Sequence, residues 1–173
     1  MSVGSEPPGA SIRRLTADDL ELYRSVRLRA LRDAPDAFGS VYEDEAALDN
    51  AGWRTKWESW TGPPGGAVWA ATLGNSGMGL VGCVRERETA NRAWLISMWV
   101  DPVVRRRGVA RSLIASAVGW GRGEGLDRID LEVTSNNHAA RRLYDRMGFE
   151  MTNRSRPHPR KSGLREHEMV LLL

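Results

Sequence analysis

The stretch Asn137-His138-Ala139-Ala140-Arg141-Arg142-Leu143-Tyr144-Asp145-Arg146-Met147-Gly148-Phe149 decides how this chain is read. Asn137, Ala140 and Tyr144 stand at i, i+3 and i+7, so on a helix they share one face. The helix follows Asn137, a residue type that caps N-termini, and closes before Gly148. Small Ala140 permits close approach on that face, Leu143 points toward a core, and Phe149 can pack back past the glycine. Just upstream, Ile129, Leu131 and Val133 alternate as a strand, so the Asn137/Ala140/Tyr144 face sits at a strand's end. At this chain's composition the six specified residues would coincide by chance on the order of once in a million.

About thirty residues earlier, Arg105-Arg106-Arg107-Gly108-Val109-Ala110 separates two apolar segments of different period. Ala93–Val100 is a nearly continuous apolar run, as in a strand covered on both faces. After Asp101-Pro102 the rows Val109/Leu113/Ala117 and Ala110/Ile114/Val118 mark a helix of about 14 residues beginning near Gly108. A helix N-terminus offers unpaired N–H groups and a positive dipole end. Gly108 lets a ligand approach the backbone, and the arginines add charge. Such a site suits a pyrophosphate. An Arg-x-x-Gly-x-Gly/Ala match alone arises by chance roughly half a time in so arginine-, glycine- and alanine-rich a chain. The strand–loop–helix setting gives it weight.

Outward from these motifs, Ile12 and Leu15 mark a first strand. Thr16-Ala17-Asp18-Asp19 starts a helix with a hydroxyl and carboxylates, and that helix stops before Pro35. The pattern then predicts one helix over Glu43–Trp60, with Trp53, Trp57 and Trp60 on one face. Ala67–Leu73 and Met78–Arg87 form a hairpin around Gly74-Asn75-Ser76-Gly77, and Phe149–Thr152 and His167–Leu173 are the final strands. The Pro/Gly/Ser-rich residues 1–10 read as a disordered tail, leaving one α/β (α+β) domain over 11–173.

Composition sets the bounds. The 173 residues, 41% apolar and 27% charged, exclude a fibrous or wholly disordered chain. No apolar run nears the roughly 18 residues of a membrane helix, and the first residues lack a basic flank and apolar core, so neither a membrane protein nor an exported one is expected. One cysteine allows no intrachain disulfide, which makes a reducing cytoplasm the expected compartment, and three histidines without metal-like spacing predict no metal site. Residues 1–100 carry 11 Lys+Arg against 13 Asp+Glu, whereas 101–173 carry 14 against 9. That basic second half reads either as a polyanion site or as a solvated face.

The two motifs, in this order and spacing, resemble the GCN5-related N-acetyltransferase (GNAT) superfamily, and the resemblance runs from about Ser11 to Leu173. It implies a mixed, mostly antiparallel sheet of six to seven strands, flanked by about four helices and splayed between two central parallel strands, here Ala93–Val100 and Ile129–Val133. It implies acetyl-CoA as acetyl donor, with the pantetheine arm in the gap against the backbone of Met98, Trp99 and Val100. Arg105, Arg106, Arg107, Gly108, Val109, Ala110, Arg111 and Ser112 then form the pyrophosphate loop. Asn137 contacts the pantetheine arm beside small Ala140, and Tyr144 faces the sulfur.

The resemblance further implies direct attack of an amine on the thioester, which leaves Cys83 no role as nucleophile. A tyrosine near pKa 10 is protonated at neutral pH and can donate to a thiolate with reference pKa near 8.5, the role given to Tyr144. A lysine-type amine is only about one part in 2,500 neutral at pH 7, an α-amine about a seventh, so the need for a base depends on the acceptor. Glu132 stands twelve residues before Tyr144, a spacing similar to that of the glutamate base in ribosomal-protein N-terminal acetyltransferases. Glu43, Asp44 and Glu45 are second candidates.

Each of these has a plainer reading. Tyr144 can be a packing tyrosine, Glu132 the polar side of a strand, Glu43–Glu45 an N-terminal charge cluster, and the tryptophan row a packed helix face. His167 reads as structural. The functional expectation is an N-acetyltransferase acting on a primary amine of a small molecule, a protein N-terminus or a lysine. The alternative is a non-catalytic acyl-CoA-binding regulatory module, which would need neither Tyr144 nor Glu132. Nucleic acid is not an expected partner, because no aromatics interleave the arginines. A homodimer is compatible with the family, with the apolar end Met169–Leu173 as one contributor, although a core strand explains that end equally well.

Overall fold

The computed structural model describes residues 9–89 and 91–173. The expected tail therefore lies, up to residue 8, outside the described residues. Strand β1 (Ser11–Arg14) leads through a 3-10 turn into α1 (Leu20–Asp33). Asp19 fixes the entrance, accepting the Thr16 N–H at 2.8 Å and the Arg13 guanidinium at 2.7 Å. The Arg13 bond is the main reason its carboxyl is lowered to about 2. The helix expected over 43–60 is broken into α2 (Tyr42–Ala46) and α3 (Asn50–Thr61), because the Asp49 side chain accepts the Gly52 N–H at 2.8 Å and starts a new helix. The described residues hold five α-helices, in keeping with the expected number of about four.

The remaining elements are β2 (Gly66–Leu73), β3 (Ser76–Arg85), β4 (Arg92–Val100), α4 (Val109–Gly123), β5 (Arg128–Thr134), α5 (His138–Arg146), β6 (Glu150–Pro157) and β7 (Arg165–Leu172). Strand β6 runs five residues past the expected Thr152. Its polar second half pairs with β7 beyond a shift in register, as suits a strand at the sheet edge. The apolar end Met169–Leu173 largely belongs to β7, an interior strand with Met169 fully buried.

The seven strands form one sheet in the order β1-β2-β3-β4-β5-β7-β6, antiparallel throughout except for β4 and β5. Their parallel ladder covers only Arg92–Trp94 against Arg128–Asp130. The fully buried Asp130 anchors Arg92 and Arg128 at that last pair. Past it the strands part, leaving the β5-facing edge of β4 without a ladder partner from Leu95 onward. On its other edge β4 bulges: Ser97 and Met98 together face Val81, between the pairs Gly82–Ile96 and Leu80–Trp99.

Alternate residues of the central strands feed two cores. Trp69, Val81, Leu95, Ile129, Leu131 and Met169 pack under α4 and α5. Val68, Ala70, Leu80 and Trp99 pack under α1 and α3. Burial on both faces is why these strands read as near-continuous apolar runs. In the second core Tyr23 meets Trp53, Trp57 and Trp60 edge-on, so the tryptophan row is chiefly a packed face. Among the described residues no helix is long and apolar enough to cross a membrane.

Candidate active site

The parting of β4 and β5 opens a cleft of about 920 Å³, within the range of small-molecule sites. Its walls are β4 from Trp94 to Val100, the end of β5 at Glu132–Thr134, and Asn137, Ala140, Leu143 and Tyr144 of α5. The first turn of α4 and a cluster of Phe38, Trp60, Arg156 and Glu166 complete the rim.

The loop into α4 is an anion cradle built from main chain. Arg106 and Gly108 both take left-handed backbone, with φ of 63° and 81°. For Gly108 that conformation costs little, and a Cβ there would meet nothing within 4 Å. Among the described residues no side chain caps the helix, and the first main-chain bond is Ser112 N–H to Gly108 C=O. Among the described residues, none accepts the N–H groups from Arg106 to Arg111. Successive unpaired N–H groups at a helix start form a nest for an anion. The arginines divide. Arg105 donates through Nε to the Val100 carbonyl at 2.8 Å and pairs with Asp33, so its side chain clamps the loop to β4 and α1. Arg106, Arg107 and Arg111 are exposed and have no carboxylate partner among the described residues. Arg107 and Ser112 stand outside the cleft lining, whereas Gly108, Val109, Ala110 and Arg111 are in it.

Across the cleft, Asn137 caps α5, its Oδ1 accepting the Ala140 N–H at 3.2 Å. That leaves both Nδ2 hydrogens for a ligand. Ala140 and Tyr144 follow on the same face. Tyr144 is 6% exposed and packs edge-on against Phe149. Its hydroxyl has no hydrogen-bond partner among the described residues, and burial raises its pKa above the usual phenol value. Opposite lie Met98, half-buried against the first core, and Trp99, whose indole turns toward α1 and donates to Asp33 at 2.9 Å. Of Trp99, only the main chain is left for a ligand.

Glu132 is exposed in the cleft, and its carboxylate accepts Arg156 Nη2 at 2.6 Å. The same nitrogen lies 2.8 Å from Glu166. The hydrogen bond to Glu132 leads the causes that raise Arg156 above the ordinary arginine value. Of the second candidates, Glu43 and Asp44 lie outside the cleft lining. Glu45 is buried and holds Arg27 through both oxygens, at 3.0 and 2.8 Å, and Lys56 at 2.9 Å. Burial raises it, but the bonds and charges of Arg27, and then Lys56, prevail and hold it below the usual carboxylate value. Buried and outside the cleft lining, it does not face an amine there.

Arg27 and Ser97 are cleft residues that sequence reasoning missed. The available signal was a charge on the apolar face of α1 and the one polar residue in the run Ala93–Val100. Cys83 is buried and its thiol pushed up to about 12 by desolvation. His158 is structural: Nδ1 accepts the Arg160 and Lys161 N–H groups, leaving Nε2 to donate to the Asp36 carbonyl at 3.1 Å. With Arg160 bonded to Pro35 and Phe38 carbonyls, this latches the β6–β7 loop to the α1–α2 loop beside the cleft.

The sequence profile of the acetyltransferase (GNAT) family matches residues 28–149, from within α1 to the end of the α5 motif. The chain belongs to the GNAT family. Its fold agrees with that of a GNAT acetyltransferase from Streptococcus pneumoniae, at a TM-score of 0.79 over 95% of this chain and 99% of that one, with 19% identity. It also agrees with a Salmonella typhimurium protein described as an acetyltransferase with its cofactor acetyl-CoA, at a TM-score of 0.76 over 96% and 95% of the two chains, with 20% identity. By sequence, this GNAT chain is 31% identical over 84 residues to a [ribosomal protein bS18]-alanine N-acetyltransferase of Haemophilus ducreyi, covering 48% of this chain and 58% of that protein. The chain spans about half the length of the curated relatives it matches.

Proposed function

We propose that this GNAT protein is an acetyl-CoA-dependent N-acetyltransferase that passes acetyl directly to a primary amine of a small molecule, a protein N-terminus or a lysine. The observation that carries this reading is an unpartnered phenol in the same cleft as an open strand edge and an empty-handed helix N-terminus. The N–H groups of residues 106–111 take the diphosphate, with Arg106, Arg107 and Arg111 adding charge. The free edge of β4 at Met98–Val100 and the Asn137 amide hold the pantetheine arm, and Ala140 leaves it room. The amine nitrogen bonds to the carbonyl carbon, and the carbon–sulfur bond breaks. Glu132 accepts the proton the amine loses, and Tyr144 donates to the departing thiolate. Glu132 fits this role better than Glu43, Asp44 or Glu45, because it alone of the four is both exposed and in the cleft.

The test is thiol release from acetyl-CoA against four amines: a peptide beginning with alanine, an N-blocked lysine peptide, a polyamine and an aminoglycoside. The alanyl peptide is included because of the relative that acts on bS18 alanine. At least one class is expected to gain an acetyl group by mass, and Tyr144→Phe and Glu132→Gln to slow turnover by about 100-fold or more each. Binding of acetyl-CoA with no turnover on any class would favour a non-catalytic acyl-CoA-binding module instead.

A further inference from the structure

One polar side chain interrupts the apolar run of β4, and it stands at the bulge. Ser97 takes φ of +55°, a left-handed conformation that brings Cβ too close to the following carbonyl oxygen and that L-residues other than glycine avoid. The strand gains no pairing from it, since Ser97 and Met98 share Val81. Strain retained in this way is a reason to look for a role. Ser97 is half-buried in the cleft lining, and its Oγ accepts a 2.7 Å hydrogen bond from Arg27 Nη1.

The direction of that bond has a consequence. A guanidinium carries only donors, so Oγ is the acceptor and the serine keeps its own proton for another partner. None of the described residues takes that proton. Arg27 is itself immobilised, 3% exposed, with Nε and Nη2 on the two oxygens of Glu45 and its plane over Phe38 and Trp60. A charge-assisted bond from behind fixes the place of the hydroxyl and polarises its O–H. No carboxylate or imidazole reaches Oγ among the described residues, so the group is arranged as a hydrogen-bond donor and not as a nucleophile.

We propose that Ser97 is a catalytic residue whose hydroxyl donates to the thioester carbonyl oxygen and holds the oxyanion formed on amine attack. The inference rests on the acetyltransferase reading above. As the carbon–nitrogen bond forms, the carbonyl pair moves onto oxygen, and it returns when the carbon–sulfur bond breaks. Ser97 keeps its proton throughout. Arg27 acts through Ser97 and is a positioning residue.

Ser97→Gly is the informative variant, because glycine accepts the left-handed backbone while the hydroxymethyl group and its O–H are lost. The readout is isotope-edited infrared spectroscopy of acetyl-CoA labelled at the thioester carbonyl, which needs no acceptor amine. In the native protein the bound carbonyl stretch is expected below its free value, and in Ser97→Gly back toward it, with acetyl-CoA affinity retained. Turnover on any amine accepted by the native protein should fall on the order of 100-fold. Arg27→Lys keeps the charge but loses the fork, and should move the band part of the way. An identical band in native and Ser97→Gly proteins that both bind acetyl-CoA overturns the role of Ser97 and leaves the acetyltransferase reading intact. Failure of the native protein to bind acetyl-CoA overturns that reading, and this inference with it.

Discussion

Tyr144 and Cys83 respond to burial in the same direction, and the pair bears on how a phenol can serve a thiolate. Desolvation moves the Cys83 thiol up to about 12 and raises the Tyr144 phenol. In water, proton transfer from a phenol of pKa about 10 to a thiolate of pKa about 8.5 is uphill. A thiolate released into a desolvated cleft is pushed in the same direction as the buried Cys83 thiol, so burial acts on the acceptor as well as on the donor. A short hydrogen bond from Tyr144 then stabilises the leaving group even before the proton moves. The sign for pH follows. Because burial raises the phenol, its neutral donor form persists past the ordinary tyrosine pKa. The kcat–pH profile is therefore expected to show no alkaline limb from Tyr144 between pH 7 and about 10. A limb centred in that interval that disappears in Tyr144→Phe would refute the raised phenol.

At the scale of elements, Glu45 joins three helices: it lies on α2, holds Arg27 of α1 and meets Lys56 of α3. Ion pairs this dry are strongly destabilising to break, because one charge is left buried without a partner. Glu45→Gln is expected to lower unfolding free energy by about 3 kcal/mol at pH 7. The folded-state pKa of Glu45 lies below its unfolded value near 4.3. Its contribution is therefore complete above that value and disappears as pH falls through the lower folded one. Urea unfolding of native and Glu45→Gln proteins should differ most near neutrality and converge below pH 4. A gap that stays constant down to pH 3 would mean that packing, not charge, explains the loss. The same network shows what an element-level reading could not reach. The periodicity of α1 marks Tyr23 and Leu31, but the partner of Arg27 lies 18 residues away across a helix break. The further break that separates Glu45 from Lys56 depends on one side chain, Asp49, inside a segment whose tryptophans keep helical spacing on a single face.

For the whole molecule, the division of the sheet explains why some of the site was legible in advance. The strands β4 and β5, the helix at Val109 and the Asn137–Tyr144 face each follow from a local period or motif, whereas the parallel pairing of the two strands is implied by the family resemblance, and the fold agrees with both. The bulge at Ser97 depends on register against β3, and the clamp of Arg105 on Val100 and Asp33 depends on α1 packing nearby. Neither has a local signature beyond a single out-of-place polar residue or one arginine among three. The parting of the strands also sets what a ligand must do to stability. The two halves share a central ladder of only three residue pairs, so a ligand bridging the α4 cradle, the β4 edge and α5 ties them together. Acetyl-CoA at one hundred times its dissociation constant should add about 2.7 kcal/mol, which for a domain of this size raises Tm by roughly 5–10 °C. If the nest of N–H groups at residues 106–111 supplies much of the grip, acetylpantetheine, which has the thioester but no diphosphate, should give only a small part of that rise at equal concentration. Raising ionic strength should shrink the acetyl-CoA shift and leave the acetylpantetheine shift nearly unchanged, because only the former includes charge attraction by Arg106, Arg107 and Arg111. Equal shifts from the two ligands, measured by scanning calorimetry, would show that the cradle does not hold the diphosphate.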